Sequence, residues 1–206
     1  MKRFSFLVAA FFGNEDKVSQ LSASVSDVSN DLRGKTVAVV GNARSLSLSA
    51  QGAEIDSADI VIRINSAPIP SAISHGTRTD WIAISVPVDP QRLASLAPGR
   101  ILWMTPRIRR LPWQVAQRPG FFLNPKQSHR ELHQQTGSRP TTGLMVLDLL
   151  KRTDLAAVRI HGFDFFASLS LSGSRTAAQV AHDFSAEKEW VETLLSADAR
   201  FSLRSI

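Results

Sequence analysis

The residues best suited to chemistry in this 206-residue chain are a histidine and a glutamate near its end. His182 is followed five residues later by Glu187, at the start of a segment with helical character. A histidine ring exchanges protons near neutral pH, so His182 is a candidate general base. Among the other histidines, His161 is the next candidate because it ends a predicted strand. A lone histidine can equally be structural, so its surroundings decide the assignment.

Two further polar segments follow apolar runs that predict buried strands. Gly41 and Asn42 come directly after Lys35–Val40, and Asn65 follows Ile60–Ile64. Glycine lets backbone N–H groups approach a phosphate or ribose, and asparagine offers both a donor and an acceptor. The alternatives are a plain strand–turn glycine and an asparagine that caps a turn. The dinucleotide pattern GxGxxG and the P-loop pattern GxxxxGK[ST] are absent, so neither of those sites is predicted.

A fourth segment, Arg139–Gly143 (RPTTG), begins a predicted helix that continues to Lys151. The first N–H groups of a helix and the hydroxyls of Thr141 and Thr142 form a natural anion site. The alternative is an ordinary helix cap by one of the two threonines.

These residues depend on the elements that position them. Short apolar strands alternate with helical or loop segments, which predicts an α/β fold with a mostly parallel, Rossmann-like sheet and helices on both faces. Ligands in such sheets bind beyond the carboxyl ends of the strands, where the polar segments above lie. The irregular stretch Pro87–Ser138 is expected to form loops over that edge. The predicted strands are Lys35–Val40, Ile60–Ile64, Trp81–Val86, Arg100–Met104 and Ala157–His161, and the last predicted helix is Ala186–Leu195.

The N-terminal segment predicts a helix followed by a linker. Lys2 and Arg3 precede the apolar run Phe4–Gly13, which is too short to span a membrane and is followed by acidic residues instead of a cleavage site. We expect a packed helix or a surface anchor in peripheral contact with a membrane. The serine-rich stretch Val18–Asn30 predicts a linker. The expected division is residues 1–30 as helix and linker and 31–206 as one domain.

Composition narrows the classes of function. The chain has 43% hydrophobic residues, a net charge of +6 and no cysteine, so disulfides and thiolate metal sites are excluded. The basic cluster Arg107–Arg110 is either a solvated surface or a contact for phosphate or carboxylate. No nucleic-acid-binding motif accompanies the charge, so we expect no nucleic acid partner. The lack of cysteine fits a cytoplasmic protein, with peripheral placement at the inner membrane as a further expectation.

Together the polar segments resemble glycosyltransferase family 29, the sialyltransferases. Val37–Pro68, with AVVGN at Ala38–Asn42, resembles the large sialylmotif, and His75–Thr79 resembles its VGxKT continuation. The small sialylmotif is resembled by Pro140–Gly143 through Val158–Phe163. His182 to Glu187 fits the very small motif, HxxxxE. The order of the motifs along the chain is that of the family.

The resemblance implies a GT-A-like fold and a minimal bacterial-type enzyme that uses a CMP-linked sugar. The sugar would be sialic acid or a related keto-acid sugar such as Kdo, moved with inversion to a glycan or lipopolysaccharide-type acceptor, without metal or other cofactor. His182 would be the catalytic base. The resemblance places the donor on Gly41, Asn42, Ser45, Asn65, Thr141, Thr142, Gly143, Gly162 and Phe163.

Three departures from the family leave an alternative open. The cysteine of the family's large motif is Val37 here, and that of the small motif falls near Thr153–Asp154. The third motif is not recognisable in Asp164–Ala181, where Arg175 is the candidate substitute for its histidine. We also expect no luminal stem and no full membrane anchor. The alternative function is therefore a non-catalytic protein that binds CMP on the same scaffold.

Overall fold

The structure, a computed structural model, describes residues 1–164 and 182–205. Seven strands form one sheet, and every neighbouring pair is parallel. The strands are β1 (Thr36–Val40), β2 (Ile60–Ile64), β3 (Trp81–Ile84), β4 (Arg100–Trp103), β5 (Phe121–Leu123), β6 (Ala157–His161) and β7 (Phe201–Leu203). Their order across the sheet is β5-β4-β3-β2-β1-β6-β7. The predicted parallel α/β fold is confirmed.

The register of the central strands brings the polar segments to one edge. Val40, the last residue of β1, pairs with Arg63 of β2 and with His161 of β6. The residues that follow these three strands therefore lie side by side at the carboxyl edge of the sheet. Strand β2 is buried along its whole length, which its isoleucine and valine residues favour for a strand covered on both faces, and Arg63 is buried with them.

Helices cover both faces of the sheet. They are α1 (Arg3–Phe11), α2 (Glu15–Val18), α3 (Val25–Leu32), α4 (Gly52–Asp56), α5 (Ala72–His75), α6 (Pro90–Leu96), α7 (Trp113–Ala116), α8 (Lys126–Thr136), α9 (Thr142–Lys151) and α10 (Phe184–Ala197). One face packs against α3, α8, α9 and α10. The other packs against α1, α6 and α7 over β3–β5 and against α4 over β1 and β2.

Two sequence predictions of irregular chain are wrong. The stretch Val18–Asn30 is not a linker, because it contains most of α3, whose Val28 and Leu32 are buried in the core. Ser24 and Asp27 form a capping box that starts this helix. The stretch Pro87–Ser138 is not mainly loop either, since it holds four helices or strands in addition to β4. They are α6, α7, β5 and α8.

The apolar N-terminal run forms α1, as expected for a packed helix. Phe6, Ala9 and Ala10 are buried against the sheet, and Phe6 lies 5.2 Å from Trp113 between ring centroids. Within residues 1–164 and 182–205, no helix is long and apolar enough to cross a membrane. The division of the chain at residue 30 stays a prediction.

Candidate active site

Two asparagines meet at the carboxyl edge of the sheet, after β1 and β2. The Asn42 side chain donates its Nδ2–H to the Ile64 carbonyl at 3.1 Å, directly before Asn65. Both residues are half-buried, so each keeps a surface open to a ligand. The adjacency that the sequence predicted for Asn42 and Asn65 is therefore present, and their amides are the groups with which a base or ribose could exchange hydrogen bonds.

Asn65 connects three elements. Its backbone has φ 56°, a left-handed conformation that asparagine tolerates better than most residues. Its Oδ1 accepts from the Ser85 N–H at 3.3 Å and from the Thr142 hydroxyl at 3.5 Å. The Thr142 hydroxyl also lies 2.7 Å from Ser85 Oγ. Asn65 thus joins the ends of β2 and β3 to the start of α9, and it is held in place by both.

A glycine-lined groove holds the Phe163 ring. A Cβ on Gly41 would lie 2.3 Å from the Gly162 carbonyl and 2.8 Å from the Phe163 ring, and one on Gly143 would lie 2.6 Å from that ring. Both motif glycines are therefore required by packing. The Gly41 N–H donates to the His161 carbonyl at 2.8 Å, so it is committed to the sheet. A role of Gly41 in binding the donor stays a prediction.

Gly162 and Ser45 connect the turn after β1 to the turn after β6. Gly162 has φ 65°, and its carbonyl accepts from the Ala43 N–H at 3.2 Å. Ser45 donates its hydroxyl to Asp164 at 3.0 Å, which ties the turn after β1 to the turn after β6. These contacts bring the first and last segments of the predicted donor site together.

The helix start at Arg139–Gly143 is held by Glu187 of α10. Thr141 donates its N–H to Glu187 Oε1 at 2.6 Å and its hydroxyl to Oε2 at 2.7 Å. The Thr141 hydroxyl also accepts from the Leu144 N–H at 3.2 Å, so it is the helix cap. Both threonine hydroxyls therefore have internal partners. The N–H groups of Thr142 and Gly143 lie in the first turn, where helix geometry gives no intrahelical acceptor.

His182 lies immediately before α10 and is held by the same segment. Its Nδ1 is 2.5 Å from the Arg139 carbonyl. A carbonyl only accepts, so Nδ1 carries the proton and Nε2 presents its lone pair, as a general base requires. Burial lowers the pKa of His182, and the nearby Arg139 charge lowers it further, while the hydrogen bond to the carbonyl opposes them. The ring is therefore neutral and able to accept a proton at neutral pH.

The surroundings of His182 are cationic. Burial lowers the pKa of Arg139, and repulsion from Arg107 and Arg110 adds to that shift. In the described part of the chain none of these three guanidinium groups makes an ion pair. The region can therefore attract the phosphate or carboxylate of an anionic ligand.

His161, the second candidate base, is structural. It is fully buried, and its Nδ1 is 2.6 Å from Gln51 Oε1. Burial lowers its pKa to about 4. A group without solvent access at the end of β6 cannot reach an acceptor hydroxyl, so the structure favours His182.

Other residues of the predicted large motif build a scaffold beside the site. A Cβ on Gly52 would lie 1.9 Å from the Ala72 carbonyl, so this glycine permits α4 to pack against α5. Asp56 accepts from the N–H groups of Thr77 and Arg78. The buried Arg63 donates to the His75 carbonyl at 2.7 Å and to the Arg78 carbonyl at 2.7 Å. These contacts stabilise the chain around β2, and we assign them no role in ligand binding.

Sequence reasoning missed Ser85 and left Glu187 without a role. Ser85 lies in the predicted strand Trp81–Val86, and its position directly after the last buried apolar residue of β3 was the available signal. Arg175 and nearly all of the missing third motif lie outside the described residues. Among the residues that are described, no group of three or more His, Asp or Glu side chains could hold a metal ion. Metal independence stays a prediction.

Fold and site define a class of α/β protein that gathers polar strand-end residues, a helix start and a candidate base at one edge of a parallel sheet. The model of glycosyltransferase family 29 (sialyltransferase) matches residues 3–93. The match includes Gly41, Asn42 and Asn65. It confirms the resemblance to that family and the predicted class of enzyme, a CMP-sugar-dependent glycosyltransferase. His182 and the 139–143 segment follow the matched residues.

Solved structures share the fold. A mammalian sialyltransferase in complex with Gal-beta-1-3GalNAc-ortho-nitrophenol is 16% identical, with a TM-score of 0.67 over 98% of this chain and 84% of that one. A second structure of a mammalian sialyltransferase is 18% identical, with a TM-score of 0.68 over 96% of this chain and 78% of that one. The sialyltransferase CstII from Campylobacter jejuni, in complex with cytidine-5'-monophosphate, is 12% identical, with a TM-score of 0.56 over 83% and 80%. No curated protein matches the chain in a sequence comparison.

Proposed function

We propose that this protein is an inverting glycosyltransferase that moves sialic acid, or a related keto-acid sugar such as Kdo, from a CMP-linked donor to a glycan hydroxyl. His182 is the general base, and no metal or other cofactor is needed. The observation that supports this most is that His182 and Glu187 both form hydrogen bonds to the 139–141 segment. The next residue, Thr142, donates its hydroxyl to the Asn65 side chain.

The donor would lie along the carboxyl edge of the sheet. Asn42 and Asn65 offer amide groups for the cytidine and ribose, with Ser45 and the loop of Gly162 and Phe163 closing that side. The first-turn N–H groups of α9 and its positive dipole end would hold the phosphate or the carboxylate of the sugar. Gly41 contributes by admitting the Phe163 ring, and Gly143 admits that ring and also offers its first-turn N–H to the donor.

The reaction then needs one base and one leaving group. His182 Nε2 accepts the proton of the acceptor hydroxyl as its oxygen attacks the anomeric carbon on the face opposite CMP. The bond between the anomeric carbon and the phosphate oxygen breaks, and CMP departs with the electron pair, which inverts the configuration. The cationic groups Arg107, Arg110 and Arg139 favour the anionic ligand electrostatically. The acceptor would be a glycan or a lipopolysaccharide-type molecule.

A donor screen tests this proposal. Binding of CMP, CMP-sialic acid and CMP-Kdo is measured by calorimetry, with UMP and AMP as matched nucleotide controls. Transfer to a panel of glycans, and hydrolysis without acceptor, are then followed with and without EDTA. We expect preference for CMP and EDTA-insensitive turnover of one CMP-sugar. Absence of CMP binding contradicts the proposal, and CMP binding without turnover of either sugar supports the non-catalytic alternative.

A further inference from the structure

Helix α1 carries apolar side chains on two opposite sides. The inner side, Phe6, Ala9 and Ala10, is buried against the sheet. The spacing of three and four residues repeats on the outer side of the helix. There Phe4 is 78% exposed, Leu7 49%, Val8 42% and Phe11 63%, and Phe12 just after the helix is 73% exposed.

Packing among the residues that the structure describes does not explain the outer side. A helix that is apolar all round is normally buried, whereas Phe4, Leu7, Val8 and Phe11 of this helix are exposed to water. The other large apolar side chains exposed by more than two thirds among the described residues, Leu48 and Ile73, lie elsewhere on separate elements. Scattered residues of that kind are ordinary, but a continuous stripe marks an interaction surface.

Cationic side chains surround this stripe. Lys2 and Arg3 lie at the start of α1 and are exposed, and the Arg109 guanidinium lies 5.2 Å from the centre of the Phe11 ring. Arg110 follows and is exposed as well. Within the residues that the structure describes, none of these four side chains forms an ion pair. The nearby Glu15 carboxylate is already held by Lys126.

We propose that this surface, defined as the outer side of α1 with Phe12, Lys2, Arg3, Arg109 and Arg110, docks on a membrane that carries anionic lipid headgroups. The apolar side chains enter the boundary between headgroups and acyl chains, and the cations bind lipid phosphates. Nine residues rise only about 14 Å, so the helix lies in the plane of the membrane instead of crossing it.

Charge favours a lipid surface over a second copy of the chain. A twofold interface through α1 would place the same cationic patch on both partners, and like charges would face one another across an apolar contact. An anionic bilayer satisfies both features of the surface at once. The docking does not depend on the proposed sugar transfer, so its test is independent of that reaction.

Vesicle co-sedimentation tests the proposal with the full chain. Vesicles of phosphatidylcholine with phosphatidylglycerol are compared with pure phosphatidylcholine. The triple variant Phe4→Ser, Phe11→Ser, Phe12→Ser removes the three most exposed apolar side chains of this surface without touching buried residues. The matched control Leu48→Ser, Ile73→Ser removes two exposed apolar side chains elsewhere. A third variant, Arg3→Gln with Arg109→Gln, removes two of the cations.

The expected pattern is specific. Wild type and the matched control bind the anionic vesicles, the triple variant binds them at least about tenfold more weakly, and the arginine variant loses part of the salt dependence of binding. No binding by wild type, or equal binding by the triple variant, overturns the proposal. Equal binding to pure phosphatidylcholine overturns its electrostatic part. A dimer in sedimentation velocity that the triple variant abolishes, without vesicle binding, assigns the surface to a second copy instead.

Discussion

Both carboxylate oxygens of Glu187 bind a single residue, Thr141. One accepts the backbone N–H at 2.6 Å and the other the side-chain hydroxyl at 2.7 Å. Because Thr141 caps α9 and Glu187 belongs to the first turn of α10, this pair fixes the starts of the two helices relative to each other. His182 reaches the same segment through the Arg139 carbonyl, so the candidate base is positioned by the same contact region.

The protonation of Glu187 gives a prediction about stability and pH. Burial raises the pKa of this carboxyl from its ordinary 4.5 to about 7, against the lowering effect of the two hydrogen bonds from Thr141. Between pH 4.5 and 7 the folded state therefore keeps a proton that the unfolded state has released. The free energy of unfolding must fall as the pH rises through this window. We expect the Tm of the wild type, relative to Glu187→Gln, to decrease across it.

The comparison with Glu187→Gln isolates this effect. Burial lowers the pKa of His161 and of His182, and these groups change stability in the opposite direction as the pH rises. They are common to both proteins, so the difference in Tm reports Glu187. Glu189→Gln, an exposed change on the same helix, is the control and should show no such trend. A constant difference between wild type and Glu187→Gln across the window contradicts the raised pKa.

Alanine substitutions at the two glycines beside Phe163 should respond differently when the Phe163 ring is replaced by a smaller side chain. An added Cβ on Gly143 meets side chains only, chiefly the Phe163 ring at 2.6 Å, whereas one on Gly41 also meets the Gly162 carbonyl at 2.3 Å. Gly143→Ala and Gly41→Ala should each destabilise by about 1–3 kcal/mol or more through overpacking. Phe163→Leu should offset much of the loss for Gly143→Ala and little of it for Gly41→Ala.

Urea unfolding in two double-mutant cycles measures these couplings. We expect the favourable coupling free energy between Gly143→Ala and Phe163→Leu to exceed the one between Gly41→Ala and Phe163→Leu. Equal couplings would mean that the close approach of the Gly162 carbonyl does not limit position 41.

Two substitutions of Asn65 should distinguish its effect on backbone strain from its effect on ligand binding. Its left-handed backbone, with φ 56°, costs an ordinary residue about 1–2 kcal/mol. Asn65→Ala therefore loses stability through both strain and the missing acceptor for Ser85 and Thr142, whereas Asn65→Gly avoids the strain. If the amide binds the nucleotide, both variants should weaken CMP binding alike. Calorimetry and urea unfolding check this, and unchanged CMP affinity in both would remove Asn65 from the donor site.

The pH dependence of transfer should report His182. Because burial and the Arg139 charge lower its pKa below 6.5, the ring stays neutral into mildly acidic solution. We expect kcat/KM to fall on the acid side with a midpoint below 6.5, measured with saturating acceptor. Glu187→Gln serves as the control, because the fall of kcat/KM on the acid side should persist when the Glu187 carboxyl is removed. A midpoint clearly above 6.5 would argue against a neutral His182 as the base.

The central strands were predictable because their runs are short and rich in valine and isoleucine, although Arg63 and Arg159 interrupt two of them. Ile60–Ile64 and Ala157–His161 match the observed β2 and β6, and the polar residues after β1 and β2 then follow at the correct edge. The edge strands β5 and β7 have only three residues each, which is too short for a clear strand pattern. Their neighbours in the sheet are not specified by the local sequence. Helix α8 is polar on most sides, with Leu132 as its one large buried apolar residue, so no apolar periodicity revealed it.

In the site, residue types were easier to predict than their partners. The positions of His182, Asn42 and Asn65 at one edge follow from motif order and strand order. The packing constraint on Gly41 was not predictable, because it comes from Gly162 and Phe163, which lie more than a hundred residues away in sequence. The bond between Glu187 and Thr141 joins two helix starts in a way that no local pattern encodes. Contacts between distant segments supply this part of the site.

Sugar transfer by wild type, His182→Ala and His133→Ala, measured with the tightest CMP-sugar donor alongside CMP affinity, tests the central claim most directly. His133 is exposed on α8 and is the matched histidine control. We expect His182→Ala to lose transfer by about 10²–10⁴-fold and to keep its CMP affinity, while His133→Ala resembles the wild type. Full transfer by His182→Ala would mean that His182 is not the general base.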